Sequence, residues 1–179
     1  MRGVLFVALV LMSIASYGQD DSQKKQTKFE QLASKTGSIL KFVDISMPRI
    51  GNLETSVRTV LGEQKNKYFY RIEKLETSNS NSKIAMIEYS DLVEINKALT
   101  KLLSEEKTDS ESNPDYLENK YITEDGFSIG YYIEKGIPNW FVRLERYGKS
   151  TVFVKKETIA ENLPAAQKKI EELKSINGK

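Results

Sequence analysis

The chain has 179 residues, with 27 Lys and Arg against 25 Asp and Glu, and its formal net charge is +2. This mixed and nearly neutral charge excludes a strong field of one sign, so duplex DNA is not predicted as a partner. Histidine and cysteine are both absent. Their absence removes the most common general base, the thiol nucleophile and the preferred zinc ligands, so neither a metal site nor a cofactor is predicted.

The first residues have the pattern of a secretory signal peptide. Arg2 supplies a positive start, 4–14 is an apolar run, and Ser16 and Gly18 place small residues before Gln19. This pattern predicts cleavage after Gly18, and the apolar run is shorter than the roughly 20 residues of a transmembrane helix. We therefore expect a secreted or periplasmic protein without a membrane anchor. A Gln directly after the cleavage site resembles exported proteins of Gram-negative bacteria such as the Bacteroidetes.

After the signal peptide, 19–36 is polar and predicts a flexible leader, and 37–176 has the length of a single domain. Patterns of β-branched, aromatic and alternating residues predict four strands, at 38–45, 52–61, 68–75 and 84–89. Pro48 should end the first strand or place it at a sheet edge. Apolar residues at three- and four-residue spacing then predict a helix at about 91–104, with Ser90 or Asp91 as its N-cap.

A polar, acidic stretch at 104–115 predicts a linker, and its acidic residues lack the spacing of a calcium-binding loop. Beyond it the same order of elements returns. Strands are predicted at 116–123, 127–134, 140–147 and 151–156, and a helix at about 158–175. Thr158 and Glu161 form a capping-box pattern, and Pro164 should interrupt the helix or restart it near its first turn.

The two halves share a local sequence pattern. Residues 69–74 and 141–146 both read aromatic, apolar, Arg, apolar, Glu, basic, which indicates a duplication with repeats at 37–104 and 116–176. The predicted fold class is α+β, with two tandem ββββα units whose sheets are antiparallel. Two arrangements remain open: one continuous curved sheet, or two sheets that each pack on the helix of the other repeat.

Alternation along the strands suggests a candidate binding surface. If one face of each sheet is the core, aromatic and arginine side chains point to the other face, where they could stack on a base, a sugar or a loop of a partner. The candidate ligand-binding residues are Phe69, Arg71, Tyr132, Phe141 and Arg143. In the alternative interpretation a helix covers this face, or it is buried where the repeats or two subunits meet.

Two copies of four strands and a helix resemble the architecture of the PUR-repeat and Whirly proteins. The resemblance covers 38–173 at the level of element order. It implies binding of single-stranded nucleic acid on sheets, with Phe69, Arg71, Phe141 and Arg143 at the matching positions. The signal peptide and the nearly neutral charge depart from that pattern, so this protein can share the architecture of these families without sharing their activity.

These features predict an exported, non-catalytic binding or assembly module whose partner is an unknown macromolecule or a second copy in a homodimer. One alternative is binding of single-stranded nucleic acid or a glycan on the aromatic and arginine face. The other is a carboxylate-dependent hydrolase that uses Glu124 and Asp125, with Asp115 and Glu118 upstream. Against the hydrolase, turns favour Asp because its side chain bonds nearby backbone amides.

Overall fold

The computed structural model describes residues 25–62, 65–75, 82–112, 114–146 and 150–177. The predicted signal peptide lies outside the described residues, as do parts of the predicted connections between strands, at 63–64, 76–81 and 147–149.

Two four-stranded antiparallel sheets make up the fold, and each is followed by a long helix. A short helix, α1 (Lys28–Ala33), comes first. Sheet 1 has the order β1 (Lys41–Ile50), β2 (Leu53–Leu61), β3 (Lys67–Lys74), β4 (Lys83–Glu88), and α2 (Tyr89–Glu111) follows it. Sheet 2 has the order β5 (Leu117–Ile122), β6 (Ser128–Glu134), β7 (Ile137–Arg143), β8 (Thr151–Phe153), and α3 (Lys156–Asn177) follows it. The prediction of an α+β fold with two ββββα units is confirmed.

The two units share one hydrophobic core. Helix α3 contacts β1, β2 and β3 of sheet 1, while α2 contacts β5, β6 and β7 of sheet 2 and also β3 and β4. Buried side chains from both sheets and both long helices form a single cluster. Of the two arrangements left open by the sequence, the observed one places each sheet against the helix of the other unit.

Helix α2 is longer than predicted. Leu92, Ile95, Leu99 and Leu102 give it the predicted buried stripe, but it continues to Glu111, so most of the predicted linker at 104–115 is helical. This extension lacks apolar residues and is held by polar contacts instead. The Tyr131 hydroxyl donates to Asp109 at 2.6 Å, and Lys156 Nζ donates to Glu106 at 2.9 Å.

Helix α3 starts earlier than predicted and is not interrupted where an interruption was predicted. It begins at Lys156, so Thr158 lies in the first turn and does not cap the helix. Pro164 lies inside it without ending it. Proline normally costs a helix about 3 kcal/mol. That cost is offset here by burial on both sides of the proline, at Ile159, Leu163, Ala166 and Ile170.

The stretch predicted as a flexible leader contains α1. Thr27 caps this helix in a capping box with Glu30. Pro48 lies inside β1, and β1 is an edge strand of sheet 1, which is the second of the two outcomes predicted for this proline. The pairing of β1 with β2 shifts register between Met47 and Ile50. An edge strand tolerates proline because its outer amides need no partner strand.

Candidate functional site: a cleft between the two sheets

The candidate aromatic and arginine residues lie on the faces of the sheets that are turned away from the shared core. The alternate residues of the same segments belong to the core, as predicted: Tyr68, Tyr70 and Ile72 in sheet 1, and Trp140, Val142 and Leu144 in sheet 2. Phe69 and Phe141 are nevertheless only 1% and 2% exposed. Neither ring therefore offers a free face on which a ligand could stack.

On sheet 1, helix α1 covers the aromatic face. The Phe29 ring lies 5.3 Å from the Phe69 ring in an edge-to-face contact and 6.0 Å from the Phe42 ring. The Arg58 guanidinium lies 5.5 Å from the centre of the Phe42 ring and donates to both carboxylate oxygens of Asp44, at 2.7 and 2.6 Å. These hydrogen bonds lower the pKa of Asp44. For Phe69 the alternative interpretation, a face covered by a helix, is the one observed.

On sheet 2, Phe141 is paired across the strands with Gly130 and Phe153. The Arg143 guanidinium lies 5.7 Å from the centre of the Phe141 ring, and Arg143 Nε donates to the Thr151 hydroxyl at 3.0 Å. Arg143 is thus held by its own sheet, as a cation–π partner and a hydrogen-bond donor.

Tyr132 belongs to a more exposed group of rings. It contacts Phe153 edge to face at 6.0 Å and stacks on Tyr116 at 6.4 Å. Phe153 is 63% exposed and Tyr116 66% exposed. We call Tyr116, Tyr132 and Phe153 the aromatic row. Tyr116 and Phe153 were not among the sequence candidates, although the pairing of Phe153 with Phe141 follows once the strand register is known.

The five candidates therefore do not form one surface. Phe69 and Arg71 belong to sheet 1, whereas Tyr132, Phe141 and Arg143 belong to sheet 2. Arg71 is half-buried and donates to Glu73 at 2.5 Å. Arg71 lines a cavity to which the other four candidates do not contribute.

That cavity, which we call the cleft, has a volume of about 850 Å³. Sheet 1 forms one wall through β4 and through single residues of β2 and β3, and the segment before and within α1 forms a second wall. The third comes from sheet 2, through the β5–β6 turn and the residues after β7. The apolar lining of the cleft consists of Phe29, Ile84, Ala85, Met86, Ile87, Phe127 and Leu144.

Charged groups of both signs surround the apolar lining, and most of them are paired. Lys25 forms an ion pair with Glu124, and Arg146 donates to the Glu124 backbone carbonyl. Lys25 is the main reason why the pKa of Glu124 is lowered. Gly126, with a φ of +95°, permits this close turn, because a Cβ at that position would collide with Arg146.

Asp125 lies beside Glu124 in the lining of the cleft but takes no part in these pairs. One of its oxygens accepts a hydrogen bond from the Lys28 backbone amide at 3.0 Å, and among the described residues it has no ion-pairing cation. The Lys28 side chain instead binds Asp91, at 2.6 Å. Burial, together with the negative charges of Asp91 and Glu124, raises the pKa of Asp125. A half-buried carboxylate of this kind is typical of a ligand site.

The other two carboxylates considered for catalysis lie elsewhere. Glu118 is at the far end of β5, where it binds Lys120 at 2.9 Å and accepts from the Tyr116 hydroxyl. The strand rise places it roughly 15–20 Å from the β5–β6 turn. Asp115 precedes it in the chain. Glu124 and Asp125 are thus brought to the cleft without Asp115 and Glu118.

By its fold and its cleft, the protein is a two-unit α+β domain with a ligand-sized cavity between its sheets. No protein-family model matches the chain, and no curated protein is detectably similar to it in sequence. In the ranges that the structure describes, no helix is long and apolar enough to cross a membrane, and no three acidic side chains are grouped so as to hold a metal ion.

Proposed function

We propose that this protein is a non-catalytic binding module that takes its ligand in the cleft between the sheets. The observation that carries the proposal is the cavity of about 850 Å³, which combines an apolar lining with charged groups of both signs. Ligand sites are typically concave, about 300–1,000 Å³ in volume, mostly apolar, and supplied with a few polar groups that fix orientation.

The chemistry of the lining supports binding rather than catalysis. The chain contains no histidine and no cysteine, so a reaction would depend on carboxylates. Glu124 is occupied by Lys25. Two of the other carboxylates considered for catalysis lie outside the cleft, since Glu118 is at the far end of β5 and Asp115 precedes that strand. Asp125, with its raised pKa, is better explained as a group that gains a cationic partner when a ligand binds.

The proposed place of action is outside the cytoplasm. It rests on the signal-peptide pattern of residues 1–18. Fractionation of cells that produce the full chain, followed by N-terminal sequencing, tests it. We expect a mature protein that begins at Gln19 in the periplasm or the medium, and a cytoplasmic protein that retains residues 1–18 would contradict the proposal.

The cleft is tested by nuclear magnetic resonance with a fragment library of small amphipathic molecules. We expect the amide shifts caused by binders to cluster at β4 and at the β5–β6 turn. Met86→Trp should fill the cleft and abolish those shifts, whereas Ile122→Trp, an equally bulky change on an exposed side chain of β5, should leave them intact. Shifts that persist in the Met86→Trp protein would contradict the proposed site.

The aromatic row supports a second candidate function, the binding of a glycan on sheet 2. Tyr116 and Phe153 expose most of their ring surface, and sugar rings pack on such faces. The double change Tyr116→Ala with Phe153→Ala should weaken binding to soluble polysaccharides by ~1–3 kcal/mol per lost stack, the scale known for nucleobases on aromatic side chains. Binding that falls steeply with salt would indicate single-stranded nucleic acid instead.

A further inference from the structure

Strand β4 turns its edge toward the cleft. It is the last strand of sheet 1 and pairs with β3 alone. Four consecutive residues of β4, Ile84, Ala85, Met86 and Ile87, line the cavity. Successive side chains of a strand point to opposite faces, so a surface that touches four in a row is the edge of the sheet.

The backbone of this edge is free to form hydrogen bonds. In an antiparallel pair, the N–H and C=O groups of every second residue point away from the neighbouring strand. Within the described part of the chain, no backbone group outside β3 bonds to β4. An edge of this kind can accept a further strand, and here it lies in a cavity with apolar walls.

We infer that the ligand of the cleft is an extended peptide segment that pairs with β4 as a fifth strand of sheet 1. The inference rests on the proposed function, because it names the ligand class for the same cleft. The six residues of β4 span about 20 Å, so a peptide of about six residues would complete the pairing. Backbone hydrogen bonds would supply affinity, and alternate side chains would supply specificity.

The cleft also indicates which side chains such a peptide carries. Phe127 and Leu144 offer apolar contacts, so apolar residues should face them. Asp125 has no ion-pairing cation among the described residues, and Arg146 bonds only to a backbone carbonyl there. A basic side chain near Asp125 and an acidic side chain or a terminal carboxylate near Arg146 would complement these charges.

The test begins with selection of displayed random peptides of about 12 residues, twice the length of β4, against the purified protein. The affinity of a selected peptide is then measured by calorimetry after methylation of its backbone amides, one at a time. Methylation removes one donor and adds bulk at that point. On a strand added to β4, methylation of every second residue should weaken binding about tenfold or more, and methylation of the intervening residues should change it less than about twofold.

Matched protein variants locate the peptide. Met86→Trp should abolish binding, and Ile122→Trp, on the outer strand β5, should not. Asp125→Asn should weaken peptides that carry a basic residue more than the same peptides with that residue changed to Gln. This comparison within one variant separates a lost charge contact from a general change in the protein.

The outcomes distinguish the inference from the proposed function. Loss of binding in Met86→Trp without a two-residue methylation pattern would overturn strand addition and leave the cleft as the binding site. Fragments that bind in the cleft while no peptide is selected would have the same meaning. Peptides and fragments that bind equally well to Met86→Trp would overturn both. An alternating effect of methylation along the peptide, together with loss of peptide binding in Met86→Trp, would support both strand addition and the cleft as the binding site.

Discussion

Phe69 and Phe141 show how matching residues in the two units acquire different surroundings. Both lie on the third strand of their sheet, and both are followed two residues later by an arginine. Phe69 is covered by Phe29 of α1, whereas Phe141 lies beside the exposed Phe153. The two units share the local sequence pattern, but whether another element packs over the phenylalanine ring depends on residues far away in the chain.

The raised pKa of Asp125 gives a pH-dependent prediction at the scale of a single residue. Because the folded protein holds this proton more tightly than the unfolded chain, stability falls as pH rises from the ordinary value of 3.8 through the folded pKa. Asp125→Asn keeps an acceptor for the Lys28 amide and removes the half-buried charge. We expect it to raise the free energy of unfolding at neutral pH, and the gain should vanish below about pH 4.

Urea unfolding from about pH 3 to about pH 7 measures this effect. Glu124→Gln is the matched control, because Lys25 shifts the pKa of Glu124 in the opposite direction. Its stabilising contribution is present above the ordinary pKa and is lost as pH falls. Since both partners of that ion pair are exposed, screening by water should keep the loss small. Destabilisation of Asp125→Asn at neutral pH would show that its charge is needed for the fold.

The hydroxyl of Tyr131 carries a second prediction. This buried group donates to Asp109 at 2.6 Å and accepts from the Asn119 side-chain amide at 3.2 Å, and burial is the main reason why its pKa is raised. Tyr131→Phe should cost about 1–3 kcal/mol, because it leaves polar partners unsatisfied. Chemical unfolding checks the value.

Tyr132→Phe is the matched control for Tyr131→Phe. It lies next in the chain, is half-buried, and makes no hydrogen bond through its hydroxyl to a described residue. The change should alter stability by less than about 0.5 kcal/mol. Equal effects of the two substitutions would mean that the Asp109 contact does not hold the end of α2.

At the scale of elements, α1 acts as the cover of sheet 1. It has no buried residue of its own, yet Phe29 contacts both Phe42 and Phe69. Phe29→Ala should lower stability by roughly 1–3 kcal/mol and expose the Phe69 ring. Faster amide hydrogen exchange in β3, compared with unchanged exchange in β6, would report the uncovering.

Phe153→Ala is the matched control for Phe29→Ala, since it also removes a phenyl ring from an outer sheet face. That ring is mostly exposed, so the cost should be under about 0.5–1 kcal/mol. If Phe29→Ala is as mild as Phe153→Ala and leaves exchange in β3 unchanged, α1 does not stabilise sheet 1.

At the scale of the whole molecule, the crossed packing of helices makes the two units interdependent. Sheet 1 needs α3 from the second unit, and sheet 2 needs α2 from the first. Fragments 25–112 and 114–177 should each lack a stable core alone and should regain near-native circular dichroism when mixed. The intact chain should unfold in a single transition. A fragment that folds alone, or two separate transitions, would contradict a shared core.

Much of the fold follows from local patterns in the sequence. Strand alternation, turn residues and the helical spacing of 92–102 predict eight strands and two long helices in the correct order, because burial of one face imposes these periods. The same patterns mislead where distant contacts compensate a local preference. Pro164 lies inside α3, and α2 runs on through a polar stretch that Tyr131 and Lys156 hold in place.

The sequence by itself determined the α+β class, the repeated order of elements and the absence of histidine and cysteine chemistry, since these depend only on residue types and their spacing. The tertiary structure decided which helix covers which sheet, that α1 closes over Phe69, and that the edge of β4, Arg71 and Asp125 meet in one cleft. Such decisions depend on contacts between residues far apart in the chain, and a local pattern carries no information about which distant surface it will meet.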